Sequence, residues 1–220
     1  MKKLLLVATF SVVSFLLSAQ NDVTQFMGIP IDGFKHEMIQ KLKEKGFVLS
    51  SLDSSFLEGE FNGEEVLVNV QTNNNKVWRI AVVDVKSRDE GQIKIRYNNL
   101  CRQFEENSRY KCFEDQTIPE EEDISYEMLV NDKQYQAAFY QKQDSVIKAN
   151  YIRSLLLSKY SEEQLENPTT EILSEELSES IKYTIQNEKL VWFTIINSGR
   201  GYSITMFYEN KSNKANGEDL

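Results

Sequence analysis

The chain has 220 residues, 40% of them hydrophobic and 11% aromatic, with nine glycines and three prolines. That composition excludes a disordered or collagen-like chain and supplies a packed core. Its 34 acidic against 25 basic side chains give a net charge of −9, the wrong sign for a nucleic-acid-binding protein, which needs a basic footprint.

Lys2 and Lys3 precede an uncharged, mostly apolar run from Leu4 to Leu17, and Ser18-Ala19 supplies small residues before Gln20. This is the pattern of a cleavable signal peptide, and the run is shorter than the ~20 residues a spanning helix needs. Removing it takes two of the 25 basic side chains and no acid, leaving 23 against 34. No cysteine lies near the cut, which argues against a lipoprotein, and no other segment is long and apolar enough to cross a bilayer. The expected location is the periplasm or the cell surface and beyond.

Asp32 stands as a helix N-cap before Phe34, Met38, Ile39 and Leu42 at helical spacing, with Gly46 as the stop. An extended stretch then ends at Phe61, and Asn62-Gly63 leads into the alternating Val66, Val68 and Val70, a strong hairpin signal. A second turn at Asn73-Asn74-Asn75 opens a strand from Val77 to Val85. Gln92 to Glu105 is again helical, with Ile93, Tyr97, Leu100, Cys101 and Phe104 on one stripe. Beyond an acidic loop, Ile124 to Val130 and Gln134 to Tyr140 read as a second hairpin around Asn131-Asp132, with Tyr126, Met128 and Val130 on its core face. Two amphipathic helical patterns follow, Tyr151 to Tyr160 and Thr170 to Ile185, with boundary signals at Ser161/Gln164 and Pro168. Strands Leu190 to Ile196 and Tyr202 to Tyr208 flank Gly199-Arg200-Gly201, and the polar end of the chain is expected to fray.

The fold class is therefore α+β, two related helix-plus-antiparallel-sheet halves with a helical insertion in the second. The expected organisation is a signal peptide at 1–19, a first half at 20–89, a second at 90–209 interrupted by an insertion at 142–189, and a polar tail at 210–220. A local echo, Val77-Trp78-Arg79-Ile80 against Val191-Trp192-Phe193-Thr194, fits a duplication, although Val-Trp is also ordinary strand content.

Motifs for catalysis are missing. The one histidine, His36, has Gln40 where a zincin helix needs its second imidazole, and no G-x-S-x-G offers it a nucleophile. Glu120-Glu121-Glu122-Asp123 lacks the alternating ligands and glycine of an EF-hand loop and reads as a solvated acidic loop. No phosphate-binding loop is present, so neither a metal nor a cofactor is expected. Cys101 and Cys112 are either bridged or free. A single unbroken helix would hold them ~16 Å apart, so a bridge requires the helix to stop near Glu106-Asn107-Ser108 and would be worth about 3 kcal/mol. Tyr126, Tyr135, Tyr140, Tyr202 and Tyr208 fall in expected strands, where they serve the core or form a binding surface. The leading functional expectation is a non-enzymatic binding module for an envelope protein or glycan. The alternative is a hydrolase of glycans or peptides working through paired carboxylates.

The string Phe26-Met27-Gly28-Ile29-Pro30-Ile31-Asp32-Gly33, with Glu37 to Leu42 and Lys45-Gly46-Phe47, resembles small exported proteins of Bacteroides-type bacteria. So do Gly59 to Gly63, Asn75 to Ile80, Ile124 to Met128 and the closing Ala215 to Leu220. This resemblance implies an origin and carries no activity or site residue. The helix-plus-antiparallel-sheet plan more loosely resembles the β-lactamase inhibitor protein architecture, which implies helices on one sheet face and a partner on the other.

Overall fold

A computed structural model describes residues 22–215. The expected signal peptide at 1–19, its cleavage bond and the last five residues lie outside that range. The chain divides into two compact units: Gln143–Asn187 with Asp22, and Val23–Lys142 with the segment from Glu188 onward.

The larger unit is α+β. Its ten strands are β1 (Gln25–Phe26), β2 (Ile29–Pro30), β3 (Val48–Leu49), β4 (Phe56–Phe61), β5 (Glu64–Asn73), β6 (Lys76–Asp84), β7 (Tyr110–Lys111), β8 (Gln136–Gln141), β9 (Leu190–Asn197) and β10 (Tyr202–Glu209). Its helices are α1 (Lys35–Glu44), α2 (Glu90–Glu106) and α3 (Ile124–Val130). Strands β1 and β2 form a small ladder, and the other eight make one antiparallel sheet in the order β3-β4-β5-β6-β10-β9-β8-β7. Two runs of four strands thus meet at the β6–β10 ladder. Trp78 lies in the fourth strand of the first run and Trp192 in the third of the second, so the Val-Trp echo does not join equivalent positions.

The core lies on one sheet face. Val66, Val68 and Val70 of β5, Ile80 and Val82 of β6, Val191 and Phe193 of β9, and Ile204 and Met206 of β10 point there by alternation. Against them pack Met38 and Leu42 of α1, the whole α2 stripe read from sequence, and Ile124 of α3. Asp89 caps α2 by accepting the Gln92 N–H at 2.8 Å. A buried ion cluster joins α2 to β6, with Asp84 accepting from Arg88 at 3.0 Å and Arg96 at 3.1 Å. At the Asn62-Gly63 turn both residues have positive φ, 54° and 75°, as the left-handed hairpin turn demands.

Three expectations are corrected. Residues Ile124–Val130 form helix α3, not a strand, so the second hairpin does not exist. Asp123 caps this helix on the Tyr126 N–H, Glu90 accepts the Ile124 N–H at 2.8 Å, and Asn131 ends it. Ile124 and Met128 then share the inward face at helical spacing, while Tyr126 and Val130 are exposed at 53% and 59%. Helix α1 starts after Phe34, whose N–H donates to Glu37, and Asp32 instead accepts from Gly33 and Asn213. The tail does not fray directly after β10: Asn210 is 3% exposed and donates to Ile31 O, and Asn213 donates to Val77 O across a short 3-10 turn. Polar side chains, not apolar ones, anchor this segment.

The smaller unit contains α4 (Ser145–Leu157), α5 (Glu162–Glu166) and α6 (Thr170–Gln186). Asp144 starts α4 earlier than the periodicity suggests, accepting from the Val146 and Ile147 N–H groups. Ser161 and Gln164 form the expected capping box of α5. Among the described residues of the smaller unit, the buried apolar side chains are Ile152, Leu156, Ile172 and Tyr183.

Candidate functional site

Helices α1 to α3 pack on one face of the eight-stranded sheet, and the side chains that alternate with the core residues form the other. Its most distinctive feature starts from an irregularity in β6. Gln71 pairs with Arg79 and Thr72 with Val77, so Trp78 has no partner on β5 and forms a β-bulge. A bulge adds one residue and so breaks the alternation. Val77 and Ile80 are both buried in the core, and the two residues between them, Trp78 and Arg79, share the outer face.

Around Arg79 a patch assembles from three strands. Its guanidinium lies 4.1 Å from the Trp78 ring, 4.9 Å from Phe207 and 5.9 Å from Trp192, within cation–π range of all three. Trp192 and Phe207 are cross-strand partners whose rings stack at 4.2 Å and 25°. Glu209, opposite Arg79 in the β6–β10 ladder, binds its guanidinium at 2.5 Å and accepts the Trp192 indole N–H at 2.9 Å. The carboxylate therefore fixes both the cation and the indole, and its side chain is only 8% exposed. Arg79 Nε has no hydrogen-bond partner among the described residues. Lys214 adds a second cation, 3.9 Å from Glu209 and 5.9 Å from the Trp78 ring.

The stacked pair stands between small neighbours. Along one cross-strand row Ala81 faces Phe207 and Ala138 faces Trp192, so the two rings rise above flanking alanines. Behind Ala138 the sheet edge is closed by a side chain: Gln116 donates Nε2–H to Ala138 O at 2.9 Å and accepts the Ala138 N–H at 2.7 Å. That replaces a missing strand partner and keeps the edge from pairing elsewhere.

The residues singled out from sequence lie apart from this patch. His36 is exposed on α1, stacked on Phe34. In the acidic loop, the Glu120 and Glu122 carbonyls accept from the Lys94 ammonium at 2.6 Å each, so a lysine already holds the place a cation would take. No group of three or more metal-ligating side chains gathers among the described residues. Cys101 and Cys112 are both free thiols. They bracket Gln116, Cys101 donating to its carbonyl at 3.7 Å and Cys112 accepting from its amide at 3.1 Å. Burial pushes the Cys101 thiol up to about 12. Cys112 borders a groove of about 600 Å³ with Arg102, Glu105, Phe113, Glu114, Asp115 and Thr117.

Of the five tyrosines, Tyr135, Tyr202 and Tyr208 are buried, Tyr126 lies on a helix and Tyr140 is half-buried. The tyrosine surface is therefore not formed, and tryptophan, phenylalanine and arginine supply the aromatic patch. Sequence held one clue to it: in Val77-Trp78-Arg79-Ile80 two large, polar-tipped residues sit between aliphatic ones, which strict alternation does not allow.

The displaced carboxyls all move in one direction. Asp53, Asp115, Glu122 and Glu175 are all held below the ordinary carboxylate range by hydrogen bonds, to Ser55, Thr117, Lys133 and Lys159 respectively. A general acid needs the opposite shift.

Fold and site together define an α+β protein whose eight-stranded antiparallel sheet packs α1 to α3 on one face and carries an arginine–aromatic patch on the other. Compared with known proteins, the chain matches no family model, no curated protein and no solved structure.

Proposed function

We propose that the chain is an exported, non-enzymatic binding module that takes a protein partner of the cell envelope on the outer sheet face. The observation that carries this reading is the bulge at Trp78, which sets Arg79 among Trp78, Phe207 and Trp192 on the sheet face opposite α1 to α3. Tryptophan and arginine are the residues most enriched where interfaces carry their binding energy. Here they are preorganised: Glu209 fixes both Arg79 and Trp192 before any partner arrives, which lowers the ordering cost of association. Export is supported by the residue pattern of Lys2 to Ala19, and an outward sheet face for a partner agrees with the β-lactamase inhibitor-like plan. A hydrolase would need two facing carboxyls, one of them raised, and the carboxyls whose pKa moves all move down.

The test is affinity capture from the cell envelope of the source organism with the chain as bait. One protein retained in stoichiometric amount is the expected result. Retention of glycan without protein, or turnover of an envelope polymer by the bait, contradicts the reading.

A further inference from the structure

The chain has two cysteines, and the fold brings them to one place. Helix α2 carries Cys101 and ends at Glu106, with Asn107 extended behind it, which is where a stop is required for the pair to approach. A turn closed by the Tyr110 N–H on Asn107 O at 2.9 Å doubles the chain back, and the Tyr110 ring meets Phe104 of α2 edge-on at 4.8 Å. Cys112, two residues further, thus lies beside α2 and shares a groove with Arg102 and Glu105. Both sulfurs touch Gln116: Cys101 donates to its carbonyl at 3.7 Å, and Cys112 accepts from its side-chain amide at 3.1 Å. Cys112 also donates its own proton to Glu114 O at 2.8 Å. Each thiol proton is therefore held by a carbonyl of the segment Glu114 to Gln116. The side chain of Gln116 is also the group that pairs with Ala138 at the edge of β8.

We propose that Cys101 and Cys112 are a reversible dithiol–disulfide pair, whose closure ties the segment carrying Gln116 to α2 and so holds that side chain on the edge of β8. The co-reactant is a second disulfide. Cys112, half-buried at the groove, is reached first: its thiolate attacks one sulfur of that disulfide, and the other sulfur leaves as a thiolate and takes up a proton. Cys101 is 0% exposed and acts as the resolving group. It gives up its proton and attacks the Cys112 sulfur, from which the second thiolate leaves. The two thiols lose two protons and two electrons, and the co-reactant gains both and departs as two thiols. Neither sulfur then has a proton for Gln116 O or Glu114 O, and the covalent bond replaces those two weak contacts. It closes the short loop 102–111.

Incubating the reduced full chain with glutathione disulfide tests this. By mass, the expected product has lost two hydrogens and retains no glutathione, and reduction restores both thiols. Cys101→Ser removes the resolving thiol, so glutathione should stay on Cys112, whereas Cys112→Ser should leave the folded chain reduced. In the bridged parent the Ala138 amide should exchange at least about tenfold more slowly than in the reduced one, within the limit that a short closed loop sets on opening. Gln116→Ala should cancel that difference, because the edge then has nothing to hold it. A parent chain that keeps glutathione on Cys112, or that stays reduced while folded, overturns the proposal. So does a bridge that leaves Ala138 exchange unchanged, or a slowing that survives Gln116→Ala.

Discussion

Asp84 is 2% exposed and answers two buried arginines, Arg88 and Arg96, while Arg88 reaches on to Glu64 at 2.7 Å. Removing the shared anion leaves the buried Arg96 without its counter-charge and Arg88 with Glu64 alone. Asp84→Ala should therefore cost about 3–5 kcal/mol, read as a lower denaturation midpoint with an unchanged denaturant slope. At Cys101 burial favours the neutral thiol, raising its pKa from 9.0 to about 12. A raised folded pKa means stabilisation that is complete below the unfolded value and lost as pH rises through the folded one. Stability should accordingly fall between about pH 9 and 12, in step with Tyr97 and Tyr208, whose burial also pushes their phenols upward. A thiol reagent at neutral pH should label Cys112 alone in the native protein and both cysteines after unfolding. Rapid native labelling of Cys101 would contradict its burial, and two unreactive thiols in the unfolded chain would show a disulfide.

Elements that carry their own signal were legible in the sequence, and those fixed from a distance were not. Helix α2 announces itself by five apolar residues on one stripe, and the β4–β5 hairpin by Asn62-Gly63 between alternating residues. Helix α3 is different. Its run of seven, Ile124 to Val130, is short enough to suit either a strand or a helix, and the decision rests on Asp123 at its start and on Glu90, 34 residues earlier, which accepts its first N–H. Asp123→Ala should cost about 1 kcal/mol and weaken α3, seen as faster amide exchange confined to residues 124–130. Exchange unchanged there would mean Glu90 alone holds the turn. Strands β3 and β7 have two residues each, too few for any periodic signal, and only the neighbouring strand defines them.

At the scale of the whole molecule, the chain leaves the sheet at the end of β8 and returns at the start of β9. Those two strands are antiparallel neighbours, with Tyr140 opposite Leu190 and the Gln141 N–H donating to Lys189 O at 2.9 Å. Replacing Gln143–Asn187 by a two-residue Asn-Gly turn should therefore leave the larger unit folded, with one cooperative unfolding transition and the strand circular dichroism retained. A chain that no longer folds would show that the sheet depends on the helical unit. The candidate site was the least legible part of the sequence, for a reason of distance: Arg79 meets Glu209 130 residues later, and only the β6–β10 ladder brings them together. What the local sequence does hold is the broken alternation at Trp78-Arg79, the covalent trace of the bulge.

The central claim is that the arginine–aromatic patch carries binding, and the affinity of the captured partner for point variants of that patch tests it most directly. Trp192→Ala and Arg79→Ala should each weaken binding at least about tenfold, the hot-spot scale, while Leu177→Glu in the other unit leaves it unchanged. Equal affinity of all three variants for the partner would place the binding surface elsewhere and contradict the account.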